Sequence, residues 1–181
     1  MNTYVCLIRG INVSGHKKIR MQELRELCES IGLENVASYL QSGNLVFDSP
    51  DAEAQSVGSL VELGIRERFD FIVPTIIRSK DEYGEIIDGN PFADIDGIDT
   101  TKLCVVFLAE EPAPADLERI EAENSGPDIF AAVGRHIFLH CPGGFGLTKL
   151  SNNFFENRLR VVATSRNWRT VNALFDMLGQ R

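Results

Sequence analysis

The sequence predicts an α/β fold of the α+β type: two tandem ferredoxin-like βαββαβ subdomains packed together, plus a C-terminal helix. Three observations carry this. Residues 1–79 read strand, helix, strand, strand, helix, strand. The same order recurs within 80–181, with little identity between the halves. The first strand of each half is apolar on both faces, which a sheet with one solvated face does not require.

The elements of the first half follow from local chemistry. Tyr4–Ile8 is a short run of β-favouring apolar residues and reads as a strand. Arg9–Arg20 is a loop containing Gly10 and Gly15. Met21–Ile31 spaces Leu24, Leu27, Cys28 and Ile31 as one face of a helix, and Gly32 is a natural stop. Val36–Leu40 and Leu45–Asp48 are strands around a Ser42-Gly43 turn. Pro50 breaks the chain, and Val57, Leu60, Val61, Ile65 and Phe69 recur at helical spacing. Phe71–Ile77 is the fourth strand, and Pro74 marks it as an edge or bulged strand.

The second half starts with a short helix, Lys80–Ile87, and an Asp- and Gly-rich loop, Asn90–Thr101. Leu103–Leu108 is a strand, and Pro114–Asn124 a helix with Leu117 and Ile120 inward. Ile129–Val133 and His136–Cys141 form a hairpin around Gly134. Leu150–Leu159 is a helix, Val161–Thr164 a short strand, and Thr170–Leu178 the final helix. Val5 and Leu7 lie opposite Cys6 and Ile8, and Leu103, Val105 and Phe107 opposite Cys104, Val106 and Leu108. Such strands need cover on both sides, so the halves are expected to pack as a tight pair that can behave as one domain.

Composition bounds the function. The 181 residues are 44% hydrophobic, ordinary for a globular chain. No apolar run approaches the ~20 residues of a membrane span. Met1 leads directly into Thr3–Ile8 without a basic flank or cleavage site, so a cytoplasmic protein is expected. Cys6, Cys28, Cys104 and Cys141 form no C-x-x-C pair, and most sit in apolar runs, as free buried thiols do. The net charge of −8 is uneven. Residues 1–47 carry a net +1, residues 48–124 a net −13 and residues 125–181 a net +4. The acidic middle favours solubility and argues against a nucleic-acid coat over the whole surface, while leaving room for a local positive site.

Three segments concentrate that positive charge. Arg9–Arg20 holds Arg9, Lys17, Lys18 and Arg20 with His16 and no acid, between a strand and a helix whose first N–H groups favour anions. Its Gly10-x-x-x-x-Gly15 spacing is close to a phosphate-cradling loop. However, His16 intervenes before Lys17, and no Ser or Thr follows to hold magnesium. Asn12 lies within this loop. Cys141–Asn152 combines Pro142, Gly143, Gly144 and Gly146 with Lys149, and either Thr148 or Ser151 can cap the next helix. Thr164–Thr170 places Trp168 between Arg166, Asn167 and Arg169: arginine suits phosphate or carboxylate, and tryptophan suits stacking. Each segment also has a purely structural reading: a solvated basic loop, a long connection, and a tryptophan anchoring the last helix.

Other chemistries find little support. His136 and His140 share a strand face with Phe138 and lack a third ligand, so no metal site is implied, and no cofactor. No G-x-S-x-G elbow or Cys-His pair is evident. Asp81, Glu82, Glu85 and Asp88 read as a solvated helix face.

Leu7-Ile8-Arg9-Gly10-Ile11-Asn12-Val13, Ser38–Phe47 and Ala163–Val171 resemble the signature segments of domain-of-unknown-function family 1697. The Lys149–Asn152 stretch is similar to that family's pattern as well. The resemblance spans nearly the whole chain. It implies two ferredoxin-like subdomains and no established activity. This chain has Ser14 and His16 where a second glycine and a lysine are common, and Arg169-Thr170 where Asn-Thr is typical.

Three functions compete. The first is binding of an anionic, phosphate-bearing ligand, a nucleotide or short nucleic acid, by Arg9, Asn12, Lys17, Lys18, Lys149, Arg166, Asn167, Trp168 and Arg169. Trp168 or Tyr39 would stack a base. The second is an enzyme acting on a small anionic substrate, with His16 as the catalytic candidate and His140 a possible tertiary neighbour. The third is an interaction or structural module without a small ligand, expected to show an exposed apolar patch and a stable oligomer.

Overall fold

The chain is described by a computed structural model. It covers residues 1–13, 15–93, 95–124 and 126–180. Ser14 of the first basic loop and Asp94 of the Asn90–Thr101 loop lie outside the described residues. The chain divides into two compact units, Met1–Glu85 with Ala173–Arg181, and Ile86–Asn172. The division falls inside two helices and gives the end of the last helix to the first unit.

In the first unit, β1 (Asn2–Ile8) leads to α1 (Met21–Ser30), β2 (Glu34–Tyr39), β3 (Asn44–Ser49), α2 (Ala54–Phe69) and β4 (Thr75–Ser79). α3 (Lys80–Asp88) begins directly after β4. The sheet order is β2-β3-β1-β4, antiparallel throughout. This is the ferredoxin-like order, with the first strand central because both of its faces are apolar. Tyr4, Cys6 and Ile8 join Leu24, Leu27, Val61 and Ile65 in the helix-side core. Val5 and Leu7 on the other face are equally buried.

The second unit repeats this plan: β5 (Leu103–Leu108), α4 (Pro114–Glu123), β6 (Ile129–Val133), β7 (His136–His140), α5 (Asn152–Leu159) and β8 (Ala163–Asn167), then α6 (Trp168–Gly179). Its sheet order is β6-β7-β5-β8. Cys104, Val106 and Leu108 pack with Ile137, Leu139, Phe155 and Leu159 on the helix side. Val105, Phe107 and Phe138 are buried on the other face.

The repeat reaches individual contacts. Ile8 N–H donates to Gly43 O and Arg9 N–H to Pro74 O, just as Leu108 N–H donates to Arg135 O and Ala109 N–H to Val162 O. The last strand of each sheet, β4 and β8, carries a buried arginine on the side away from the helices: Arg78 opposite Val5, and Arg166 opposite Val105. Each N–H at the start of that outer strand is held by a glutamate from the preceding helix, Thr75 by Glu62 at 2.6 Å and Ala163 by Glu156 at 3.0 Å.

The structure moves several expected boundaries, each for a local reason. β4 starts at Thr75 rather than Phe71, because Pro74 has no N–H for the ladder. α5 starts at Asn152 rather than Leu150, because Ser151 caps it by accepting from Phe154 N–H. β8 runs from Ala163 to Asn167, so Ser165 to Asn167 are strand, not loop. α6 accordingly begins at Trp168, two residues before the expected Thr170. Thr100–Lys102 forms a short 3₁₀ turn capped by Asp99, where the sequence suggests only loop.

Candidate functional site

The first basic segment leaves the C-terminal end of β1. Strand register places the Leu40–Gly43 turn and the start of β4 at that same end, since Leu7 faces Asn44 and Ile8 faces Thr75. Asn12 organises the loop. Its amide donates to Ile19 O at 2.9 Å and to Gln41 O at 2.7 Å, and its side-chain oxygen accepts from Ile19 N–H at 2.9 Å. Gly10, Asn12, Gly15 and Lys17 all have positive φ, which a short loop needs in order to double back on itself. Val13 and His16 pair as an isolated bridge, closing a small hairpin. Lys17 spends its ammonium on Ile72 O at 2.6 Å. Arg9 is half-buried. His16, Lys18 and Arg20 are exposed, and Lys18 and Arg20 have no ion-pair partner among the described residues.

The other two segments lie in the second unit, and the sheet brings them to one end. His140 closes β7 opposite Leu103, and Asn167 closes β8 opposite Cys104. Both chains therefore exit beside the start of β5. Ile129 opens β6 opposite His140, so the α4–β6 connection arrives there too. This is the opposite end of the repeat from the β1 loop. At the position in the second unit that corresponds to the β1 loop stand Glu110 and Glu111.

At this sheet end lies a cleft of about 490 Å³. Asn124 and Asp128 form one wall, and Gly143, Gly144, Thr148 and Lys149 the other. A hydrogen bond of 2.5 Å from the Thr148 hydroxyl to Asp128 joins the walls, and Asn124 donates to Asp128 O at 2.8 Å. Thr148 also accepts from Leu150 N–H at 3.0 Å, leading the chain into α5. Behind the cleft, burial pushes the Cys141 thiol up to about 11, against a hydrogen bond with Thr148 and with the charge of Asp128 adding to the rise. This thiol is protonated and structural, not a nucleophile.

The charges around the cleft are sorted by partner. Glu123 is paired with Arg158 at 2.6 Å. Asp99 is held below the usual carboxylate range by the Thr101 hydroxyl and N–H, with Lys102 contributing. Lys149 is exposed and has no ion-pair partner among the described residues. Arg169 is exposed beside half-buried Trp168. Asn167 caps α6, accepting from Thr170 N–H at 2.8 Å. Arg166 is buried, donating to the Thr164 hydroxyl and Ser165 O, both at 2.8 Å.

Lys102 is an addition that the sequence did not single out. Its carbonyl accepts from Cys141 N–H, and its ammonium comes near Gly144: a side chain on that glycine would sit 4.0 Å from it. The one hint was its position just ahead of an apolar strand whose neighbours end in basic segments. Among the described residues, no group of three or more His, Cys, Asp or Glu is placed to hold a metal ion.

Residues 1–138 match the family model described as protein of unknown function (DUF1697). The chain belongs to this family. Among solved structures it is similar to the conserved bacterial protein SP0830 from Streptococcus pneumoniae, with 26% identity, a TM-score of 0.75 and 98% of each chain covered. No curated protein matches the chain. This family member therefore shares its two-unit architecture with a bacterial relative over essentially its full length.

Proposed function

We propose that this DUF1697 protein binds an anionic, phosphate-bearing ligand, a nucleotide or a short stretch of nucleic acid, at the basic sheet end of its second unit. The observation that carries this reading is the joint exit of Cys141–Asn152 and Thr164–Thr170 at one end of the sheet, where the first of the two lines an open cleft. Concave sites with a few convergent polar groups are where small ligands bind. Lys149 and Lys102 offer charge there. Gly143 and Gly144 line the cleft and let a phosphate approach the backbone, while half-buried Trp168 and exposed Arg169 follow β8, two strands from β7 at the same sheet end. Of the nearby carboxylates, Glu123 is paired with Arg158, which offsets its repulsion of an anion, while Asp128 keeps its charge in a hydrogen bond with Thr148.

The β1 loop of the first unit is a second set of contacts. It is a loop tied down by the Asn12 hydrogen bonds rather than a cleft, with Lys18 and Arg20 exposed to solvent. That form suits the backbone of an extended nucleic acid better than a mononucleotide. We further propose a cytoplasmic location for the protein, because its four cysteines are all free and buried, as expected in a reducing compartment.

The test is a thermal-shift and anisotropy screen with nucleotides, sugar phosphates and short oligonucleotides at two salt concentrations. A ligand at about a hundredfold excess over its Kd should add about 2.7 kcal/mol of stability. Binding should weaken steeply with salt if several phosphates are contacted. Lys149→Glu should abolish mononucleotide binding, while the pair Lys18→Ala and Arg20→Ala should affect oligonucleotides alone. Ligand binding that survives all of these changes, or no binding by any ligand in the panel, sinks the proposal.

A further inference from the structure

We propose that β6 is a pairing edge, and that two copies of this chain join through it as a two-fold dimer with a continuous antiparallel sheet. An edge strand leaves a row of backbone N–H and C=O groups unpaired, and monomeric proteins normally protect such rows with charge, proline or a bulge. The four outer strands here are β2, β4, β6 and β8. β2 opens on Glu34 and slips register between Glu34 and Ala37. β4 follows Pro74 and carries Arg78, and β8 carries Arg166. β6 has none of these devices. Its sequence is Ile129-Phe130-Ala131-Ala132-Val133, and its register with β7 is unbroken from Ile129–His140 to Val133–His136. No residue of the strand is buried, and Ile129 and Val133 are 45% and 46% exposed.

The strand is complementary to itself. An antiparallel pairing centred on Ala131 sets Ile129 against the partner's Val133 and Phe130 against the partner's Ala132. The large aromatic ring thus meets a methyl group, and two β-branched pairs flank the central alanine on the other face. The charges at the strand ends agree. Asp128 precedes β6 and Arg135 follows it, so the antiparallel arrangement sets the acidic end of each strand next to the basic end of the other. A two-fold axis repeats that arrangement twice. A parallel pairing would instead set Asp128 against the partner's Asp128. These features select a second copy over an unrelated strand, which would have no reason to match this symmetric pattern. One short strand buries less than the ~800 Å² per partner of a standard interface, so the dimer should form in the micromolar range.

Sedimentation equilibrium of the full chain from about 1 to 300 μM spans that range. The expected result is a rise toward twice the 20.1 kDa chain mass. Val133→Lys should hold the protein monomeric with an unchanged circular dichroism spectrum, and so tests the edge without requiring a proline to fold into it. Ala131→Cys should give a covalent dimer under mild oxidation, because the native thiols at Cys6, Cys28, Cys104 and Cys141 are buried. Glu118→Cys, exposed on α4, should not. A monomer throughout the range overturns the proposal. So does a dimer that Val133→Lys leaves intact and Ala131→Cys fails to cross-link.

Discussion

The Asn12 amide donates to the Gln41 carbonyl at 2.7 Å, across 29 positions of sequence, and so fastens the β1 loop to the turn between β2 and β3. Two further bonds from the same side chain close the loop on Ile19. Asn12 is also in the left-handed region with φ 56°, where asparagine is better tolerated than most residues. Asn12→Ala should therefore cost about 2 kcal/mol or more, combining lost hydrogen bonds with backbone strain. Asn12→Gly loses the same bonds without the strain and should cost about 1 kcal/mol less in urea unfolding. Equal losses would show that the backbone at this position stores no strain.

Lys17 and Lys18 are adjacent and identical in charge, yet the fold uses them differently. Lys17 donates to Ile72 O at 2.6 Å from the left-handed region, whereas Lys18 is exposed. Lys17→Ala should lower stability by about 1 kcal/mol, while Lys18→Ala should leave it within about 0.5 kcal/mol. If Lys18 contacts phosphate in an oligonucleotide complex, its removal should flatten the slope of log affinity against log salt by about 1. Two substitutions with the same stability effect would remove the distinction.

The fold was legible because it rests on periodicity. Leu24, Leu27 and Cys28, or Val5 and Leu7 against Cys6 and Ile8, announce their faces through spacing alone. The second half of the last strand, β8, was not legible. Ser165, Arg166 and Asn167 are polar residues on a strand with one free edge, so no apolar alternation marks them, and Arg166 looked like a loop cation although it is buried. The candidate site was half legible. Glycines and cations named its segments, but only strand register shows that two of them leave the same sheet end, and Lys102 joins them through tertiary contact.

The repeat itself makes a testable pair. Glu62 and Glu156 each hold the N–H at the start of an outer strand, but no sequence identity ties them, because each lies a different distance from the left-handed residue that ends its helix, Asp70 or Arg160. Glu62 also accepts from the Thr75 hydroxyl at 3.1 Å. Replacement by alanine should cost about 1–2 kcal/mol at either position, with Glu62 the more costly. Glutamine keeps an acceptor and should recover part of the loss. Neutral effects in urea titrations would mean that water serves those N–H groups equally well.

Stability at high pH should follow the thiols. Burial pushes Cys28 up to about 12 and Cys141 up to about 11 from an ordinary value of 9.0, and Cys104 rises for the same reason. In the unfolded chain these thiols lose their protons near 9, while in the folded protein they keep them. The native state thus binds more protons than the unfolded state above pH 9, and stability must fall as pH rises. The contribution is fully present below about pH 9 and drains away between there and about pH 12. Chemical unfolding at pH 8, 9 and 10 measures that slope directly. Cys28→Ala should flatten it, though with a cavity penalty of its own that does not depend on pH. The same protonated state predicts that a thiol reagent reacts at neutral pH only as fast as the protein opens. Rapid native-state labelling of all four cysteines would contradict both the burial and the pH slope.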